Sequence, residues 1–154
     1  MNEPESAQWL AERVVDAMMA ADAFSRWLGI KVLAVGPRQA TVAMRVRDEM
    51  VNGFGVSHGG IVYSLADSAL AFASNTHGRV TVSIENSITY PHPVKVGDEL
   101  VAIAEEESAS NRLGYFRVTV RRGDGTVVAL FRGTVYKTKT DFFSRDGARE
   151  SEGT

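Results

Sequence analysis

The sequence predicts an α+β domain in which a curved antiparallel sheet wraps one central helix. Three observations predict it: an amphipathic helical pattern opens the chain, a second helical stretch is apolar nearly all round, and period-two runs flank that stretch on both sides. With 154 residues, 44% of them apolar, the chain has the size of one domain with one core.

Residues Ala7 to Leu28 place Trp9, Leu10, Val14, Ala17, Met18, Ala21, Phe24 and Leu28 at three- and four-residue steps, which predicts one amphipathic helix ended by Gly29. From Ile30 the period changes. A short strand over Lys31 to Val35 meets a Gly36-Pro37 turn, and Ala40, Val42, Met44 and Val46 then alternate with Thr41, Ala43, Arg45 and Arg47. Asp48 to Ser57 have no period and contain Asn52-Gly53 and Gly55, an irregular loop. The stretch from Gly60 to Ala73 predicts a helix enclosed by other structure, closed by Asn75 to Gly78.

Four strands follow. Val80, Val82, Ile84, Asn86, Ile88 and Tyr90 alternate with Thr81, Ser83, Glu85, Ser87 and Thr89 until Pro91 and Pro93 stop the run. Glu99 to Glu105, Leu113 to Arg122 and Thr126 to Thr138 supply three more, the last two joined by a Gly123-Asp124-Gly125 turn. These four strands are expected to form an antiparallel meander. The expected organisation is an N-terminal helix over 1–28, the sheet-and-helix domain over 29–138, and a polar, frayed tail over 139–154. One such layer leaves a sheet face and an edge strand uncovered, for which a homodimer is the natural remedy.

Composition excludes several functions. A net charge of −2, with no single-sign block beyond Glu105 to Glu107, disfavours sequence-independent binding to nucleic acid. With no cysteine, and only His58, His77 and His92 as nitrogen ligands, a structural zinc site is close to excluded. Glu3, Glu5 and Glu12 stand where a signal peptide needs a basic start, and no run approaches the about 18 apolar residues of a membrane span. A soluble, cytoplasmic protein is expected. Gly53-Phe54-Gly55 lacks the later glycine of a dinucleotide fingerprint, no G-x-S-x-G supports a serine triad, and His77 and His92 read as loop histidines.

Chemistry concentrates between Asn52 and Asn75. His58-Gly59-Gly60 falls where the irregular loop enters the buried helix, so unpaired N–H groups and the positive end of the helix dipole converge there. Such a point binds an anion or polarises a carbonyl oxygen; the glycines equally allow a plain tight turn. Asp67 is the one charged residue between Gly59 and Asn75. Burying a lone carboxylate is costly, which suits a general base or nucleophile, or else an acid satisfied locally by Ser64, Ser68 or a neighbouring chain. Gly60 and Asp67 are seven residues apart, about 10 Å along one helix, too far to serve one carbonyl together. Two antiparallel copies would place the Gly60 end of one chain near Asp67 of the other.

Asn52-Gly53, His58-Gly59-Gly60, Ala66-Asp67 and Asn75, in that order, resemble the hotdog-fold acyl-CoA thioesterases of the phenylacetic-acid-degradation type. Tyr90-Pro91-His92-Pro93, Val96-Gly97-Asp98 and Ala129 to Gly133 are similar to later segments of that family, with His92 where relatives usually carry Arg. The resemblance implies a hotdog fold and an active site between two subunits, often in a dimer of dimers. It implies Asp67 as the carboxylate that activates water or attacks the thioester, and the Gly60 N–H as the donor that holds the thioester oxygen. Asn52 and His58 would orient the thioester and the water, and Ser68 would help place the water. Gly59 and Tyr63 would line the substrate, Tyr63 at a spacing that equally fits a core residue; apart from the resemblance, Arg112, like Arg121, Arg122 and Lys137, reads either as a phosphate contact at a pocket rim or as a solvated surface charge. Coenzyme A would be part of the substrate, with no separate cofactor. Phenylacetyl-CoA, or another aryl or medium-chain acyl-CoA, is the implied substrate class. A hotdog hydratase or dehydratase recruiting His58, and a non-catalytic acyl-CoA-binding module, are the alternatives.

Overall fold

In the computed structural model, which describes residues 2–144, the chain runs α1 (Glu3–Ala21), α2 (Ala23–Leu28), β1 (Lys31–Gly36), β2 (Gln39–Arg45), a 3-10 turn (Asp48–Met50) and α3 (Gly59–Asn75). Then come β3 (Arg79–Thr89), β4 (Glu99–Ala109), β5 (Leu113–Arg122) and β6 (Val127–Asp141). All six strands form one antiparallel sheet in the order β1-β2-β4-β5-β6-β3, against which α3 packs. Leu65, Ala66, Ala69, Leu70, Phe72 and Ala73 of α3 are buried against Val42, Leu100, Val118, Val120 and Phe131 of the sheet. The predicted class and element order therefore hold.

The predicted single N-terminal helix is two. Asp22 breaks it, because its carboxylate accepts from both the backbone N–H and the hydroxyl of Ser25 and so caps a new helix. Asn2 and Glu5 start α1 with a reciprocal capping box, and Gly29 ends α2 in the left-handed conformation at φ 77°. Arg47 holds the end of α2 by donating to the carbonyls of Trp27 and Leu28 at 2.9 and 3.1 Å.

The four later strands do not form a simple meander. β4, β5 and β6 do, but β3 pairs with β6 at the far edge of the sheet. Pro91 and Pro93 preclude a tight β3–β4 hairpin, and the connecting segment instead crosses the sheet end, where the Val94 carbonyl accepts from the Ser57 N–H. A bulge between Ser83 and Glu85 also breaks the alternation of β3. Val82 and Ile84 are exposed, whereas Asn86 and Ile88 lie across from the buried Gly133 and Phe131.

Two further expectations change. Residues 139–141 belong to β6, and the Phe142 N–H donates to the Gly78 carbonyl, so the chain is ordered past the predicted start of a tail; residues 145–154 lie outside the described residues. Nor does this chain enclose α3 on all sides. The sheet covers one side and α1 and α2 another, leaving Gly60, Tyr63, Ser64 and Asp67 partly open at one face, which the i, i+3, i+4, i+7 spacing makes continuous. Among the described residues no helix is long and apolar enough to cross a membrane.

Candidate active site

The loop before α3 is tied at both ends. Val51 and Ser57 form a bridge, the Asn52 N–H donates to the Val56 carbonyl, and the His58 N–H donates to that of Met50. Asn52 organises the interior of that loop, its side-chain oxygen accepting from the N–H groups of Phe54 and Val56 at 2.9 and 3.4 Å. His58 is thereby delivered to the N-cap of α3, where its Nδ1 accepts from the Gly60 N–H at 2.9 Å. Accepting there leaves the proton of the neutral imidazole on Nε2. The Ile61 N–H is taken by the His58 carbonyl, while the Gly59 N–H makes no hydrogen bond among the described residues. The donor free at the helix entrance is thus that of Gly59, one residue before the expected one, because the histidine caps Gly60. Tyr90, from the end of β3, donates its hydroxyl to the Gly59 carbonyl at 2.8 Å. That bond polarises the same peptide whose N–H belongs to Gly60. Burial, with Tyr63 adding to it, pushes the Tyr90 phenol up and keeps it a donor.

Two clefts flank this entrance. One, of about 350 Å³, has apolar walls from Phe24, Trp27, Met50, Val51 and Ile61 and a polar floor from His58, Gly60 and Ser64. Phe24 and Trp27 stack with centroids 5.9 Å apart, and the Arg47 guanidinium lies 5.3 Å from the Trp27 ring. The other, of about 330 Å³, lies on the Gly59 side between Val62, Tyr90, Pro93 and Val128. A third concavity, about 490 Å³, sits between Arg38 and Glu105 to Glu107, where Arg38 meets Thr76 at the opposite end of α3, away from this chemistry.

Two turns further along α3, Asp67 is half-buried. Its Oδ1 accepts from Asn86 Nδ2 at 3.3 Å, and the same amide nitrogen donates to the Tyr63 hydroxyl at 2.9 Å. Burial pushes the Asp67 carboxyl above its usual range, and the Asn86 hydrogen bond only partly offsets it. The Tyr63 ring packs edge-on against Phe131 at 5.4 Å, as a core residue does, while its hydroxyl reaches the Asn86 amide beside Asp67.

Not every expected residue comes to this face. Ser68 is buried and shares a hydrogen bond of 2.8 Å with Ser25, which ties α3 to α2; it points away from water because one helical step turns it about 100° from Asp67. Arg112 is exposed in the β4–β5 turn, with its carbonyl bonded to Lys137 near the C-terminal end of α3. Within one chain that lies about the length of α3, on the order of 24 Å, from Gly59. Asn86 and Tyr90 are the site residues that the reading of the sequence did not single out. A signal for Asn86 existed, since it is the one amide among the apolar positions of the β3 alternation.

A sheet packed on a long helix, with a half-buried acid on the helix and an open N–H at its start, defines a hotdog hydrolase. Comparison with known proteins agrees: residues 54–129 match the family model of the thioesterase superfamily. A putative esterase of Archaeoglobus fulgidus is 39% identical over 133 residues, covering 86% of each chain. The acyl-coenzyme A thioesterase PaaI of Escherichia coli is 34% identical over 121 residues, 79% of this chain and 86% of that one. The structure of the E. coli PaaI protein from the phenylacetic acid degradation operon superposes with a TM-score of 0.85 at 31% identity, covering 87% of this chain and 97% of the other. A mutant structure of the phenylacetic acid degradation protein PaaI from Thermus thermophilus gives 0.73 at 42% identity, over 76% of this chain and 100% of that one. The chain belongs to the thioesterase superfamily and is a thioester hydrolase.

Proposed function

We propose that the protein hydrolyses acyl-CoA thioesters to free acid and coenzyme A, with Asp67 as the reacting carboxylate. The observation that carries this reading is Asp67 itself, an acid kept half-buried on an open helix face with one oxygen held by an amide. In the step we favour, Asp67 takes a proton from water as the water oxygen bonds to the thioester carbon. The carbonyl electrons move to oxygen, and collapse expels the thiolate, which leaves as the thiol after taking up a proton. Direct attack by Asp67 to give an acyl anhydride uses the same carboxylate. The carbonyl oxygen is received at the start of α3 by the Gly59 N–H, joined by that of Gly60 when His58 turns its Nδ1 away.

Supporting a two-chain site, the open face of α3 carries Gly60 and Asp67 about 10 Å apart, a separation that an antiparallel second copy closes. The outer sheet face exposes Ile103, Tyr115, Leu130 and Tyr136, which suits a further pairing of dimers. Arg112, remote from its own helix entrance, would meet the phosphates of a substrate held at a partner's. The relatives named above support an acyl-CoA substrate, and the Phe24–Trp27 wall beside Gly60 suits a flat, aryl-bearing acyl group such as phenylacetyl.

The test is release of free thiol from a panel of aryl-acetyl, benzoyl and straight-chain acyl-CoA esters. Aryl-acetyl esters are expected to turn over fastest. Trp27→Ala is then expected to raise KM for the aryl ester about tenfold, a loss of about 1.4 kcal/mol, while KM for a short straight-chain ester changes little. No thiol release from any ester by folded protein would overturn the reading.

A further inference from the structure

We propose that Asn86 is a positioning residue that decides which oxygen of Asp67 reacts. The inference rests on the assignment of Asp67 as the reacting carboxylate. Asn86 Nδ2 has two N–H bonds and uses both, one to the Tyr63 hydroxyl at 2.9 Å and one to Asp67 Oδ1 at 3.3 Å. The other end of the amide is fixed as well, because the Ser83 hydroxyl donates to Asn86 Oδ1 at 2.8 Å. Turning the amide over would set its oxygen against the Asp67 carboxylate, so the orientation has one solution.

The fold provides for this amide in two further ways. In a regular strand, residues three apart point to opposite faces; the bulge between Ser83 and Glu85 puts Ser83 and Asn86 on the same one. Across the sheet from Asn86 stands Gly133, where a Cβ would lie 2.8 Å from Asn86 Oδ1 and 2.5 Å from Leu70 Cδ2. The amide and α3 approach β6 as closely as they do only because that side chain is missing.

Two chemical consequences follow. Asp67 Oδ1 is occupied, whereas Oδ2 accepts no hydrogen bond among the described residues and is the oxygen left for the reacting atoms. The Tyr63 hydroxyl accepts from Asn86, so its own proton is free to point toward a substrate. Among the described residues Asn86 is the side chain bonded to the carboxylate, and no charged side chain adds to the effect of burial on it.

Two variants test the proposal. Asn86→Asp keeps the shape and the Ser83 contact but replaces the donor with a second carboxylate; Asn86→Leu removes both bonds at similar volume. For each, kcat and KM are measured across pH on the best thioester, and the Asp67 carboxyl is titrated by carbon-13 NMR, its signal assigned by its loss in Asp67→Asn. In both variants kcat is expected to fall about tenfold to a hundredfold with KM within about twofold. The acidic limb and the NMR midpoint are expected to move up, most in Asn86→Asp, where the two carboxyls titrate as a pair. Full kcat, or a lower kcat with an unmoved midpoint, would overturn the proposal, the second outcome marking a merely structural residue. If Asn86→Leu does not fold, the near-isosteric Asn86→Asp carries the test. The titration needs no turnover, so a wild type that releases no thiol would sink the thioesterase reading while the midpoints still judge Asn86.

Discussion

Asp67→Asn is expected to lower thiol release about a thousandfold while leaving the fold intact and more stable at neutral pH. The size follows from removing the group that takes the proton of water, an effect of about 10²- to 10⁴-fold in general. The amide keeps the shape of the acid, and its oxygen still accepts from Asn86. The sign of the stability change follows from linkage. Burial raises the folded-state pKa of Asp67 above its unfolded value near 3.8, so whatever stability the group contributes is complete below that value and is lost as pH rises through the folded one. At pH 7 the ionised acid therefore destabilises the fold, and the amide does not. Thermal melts of the two proteins at pH 7 and at pH 3.5 check this, with the variant higher at the first and the difference shrinking at the second. The same shift places the acidic limb of the wild-type kcat/KM profile above the ordinary carboxylate range. A variant that keeps full turnover, or a limb in the ordinary range, would remove Asp67 from the mechanism.

Gly60→Ala is expected to lower activity about a hundredfold without lowering stability. A Cβ at this exposed helical position would meet only the His58 ring, 3.1 Å away at Nδ1, and otherwise projects into the open cleft where the thioester must approach. Losing access to one oxyanion donor costs about 10²- to 10³-fold in general. Alanine is the better helix former by about 1 kcal/mol at an interior position, and by less in the first turn, so the melting temperature is expected to hold or rise. Steady-state kinetics with the best ester, beside a melt, measure both. Unchanged kcat/KM would show that the carbonyl does not approach the start of α3.

Much of this is legible from period and punctuation. The alternation of Ala40 to Val46, the apolar stretch after Gly60 and the Gly123-Asp124-Gly125 turn each set an element that the structure contains. Asp67 stands out because a lone charge in an apolar helix needs a reason, and the structure adds an amide partner to it. What the sequence conceals depends on contacts distant along the chain. Asp22 ends α1 through a local cap that competes with a pattern continuing straight through it. The bulge in β3 is invisible to a count of alternating residues, yet it turns Val82 outward and Asn86 inward. Ser68 sits beside the acid in sequence, but the helix directs it to Ser25, and only the docking of α2 reveals that. Spacing brings His58 and Gly60 to one helix entrance; that the ring occupies the Gly60 N–H depends on a rotamer, which spacing does not encode.

The most direct measurement combines the two damaged sites. Asp67→Asn and Gly60→Ala chains carrying different affinity tags are co-expressed, and the mixed oligomer is purified through both tags. If the acid of one chain works with the helix start of its partner, each mixed dimer holds one intact site and one doubly damaged site. Thiol release at about half the wild-type rate is then predicted, from two chains that are each nearly inactive alone. A mixed dimer no more active than its parents would contradict the account, because acid and oxyanion donor would then have to come from the same chain.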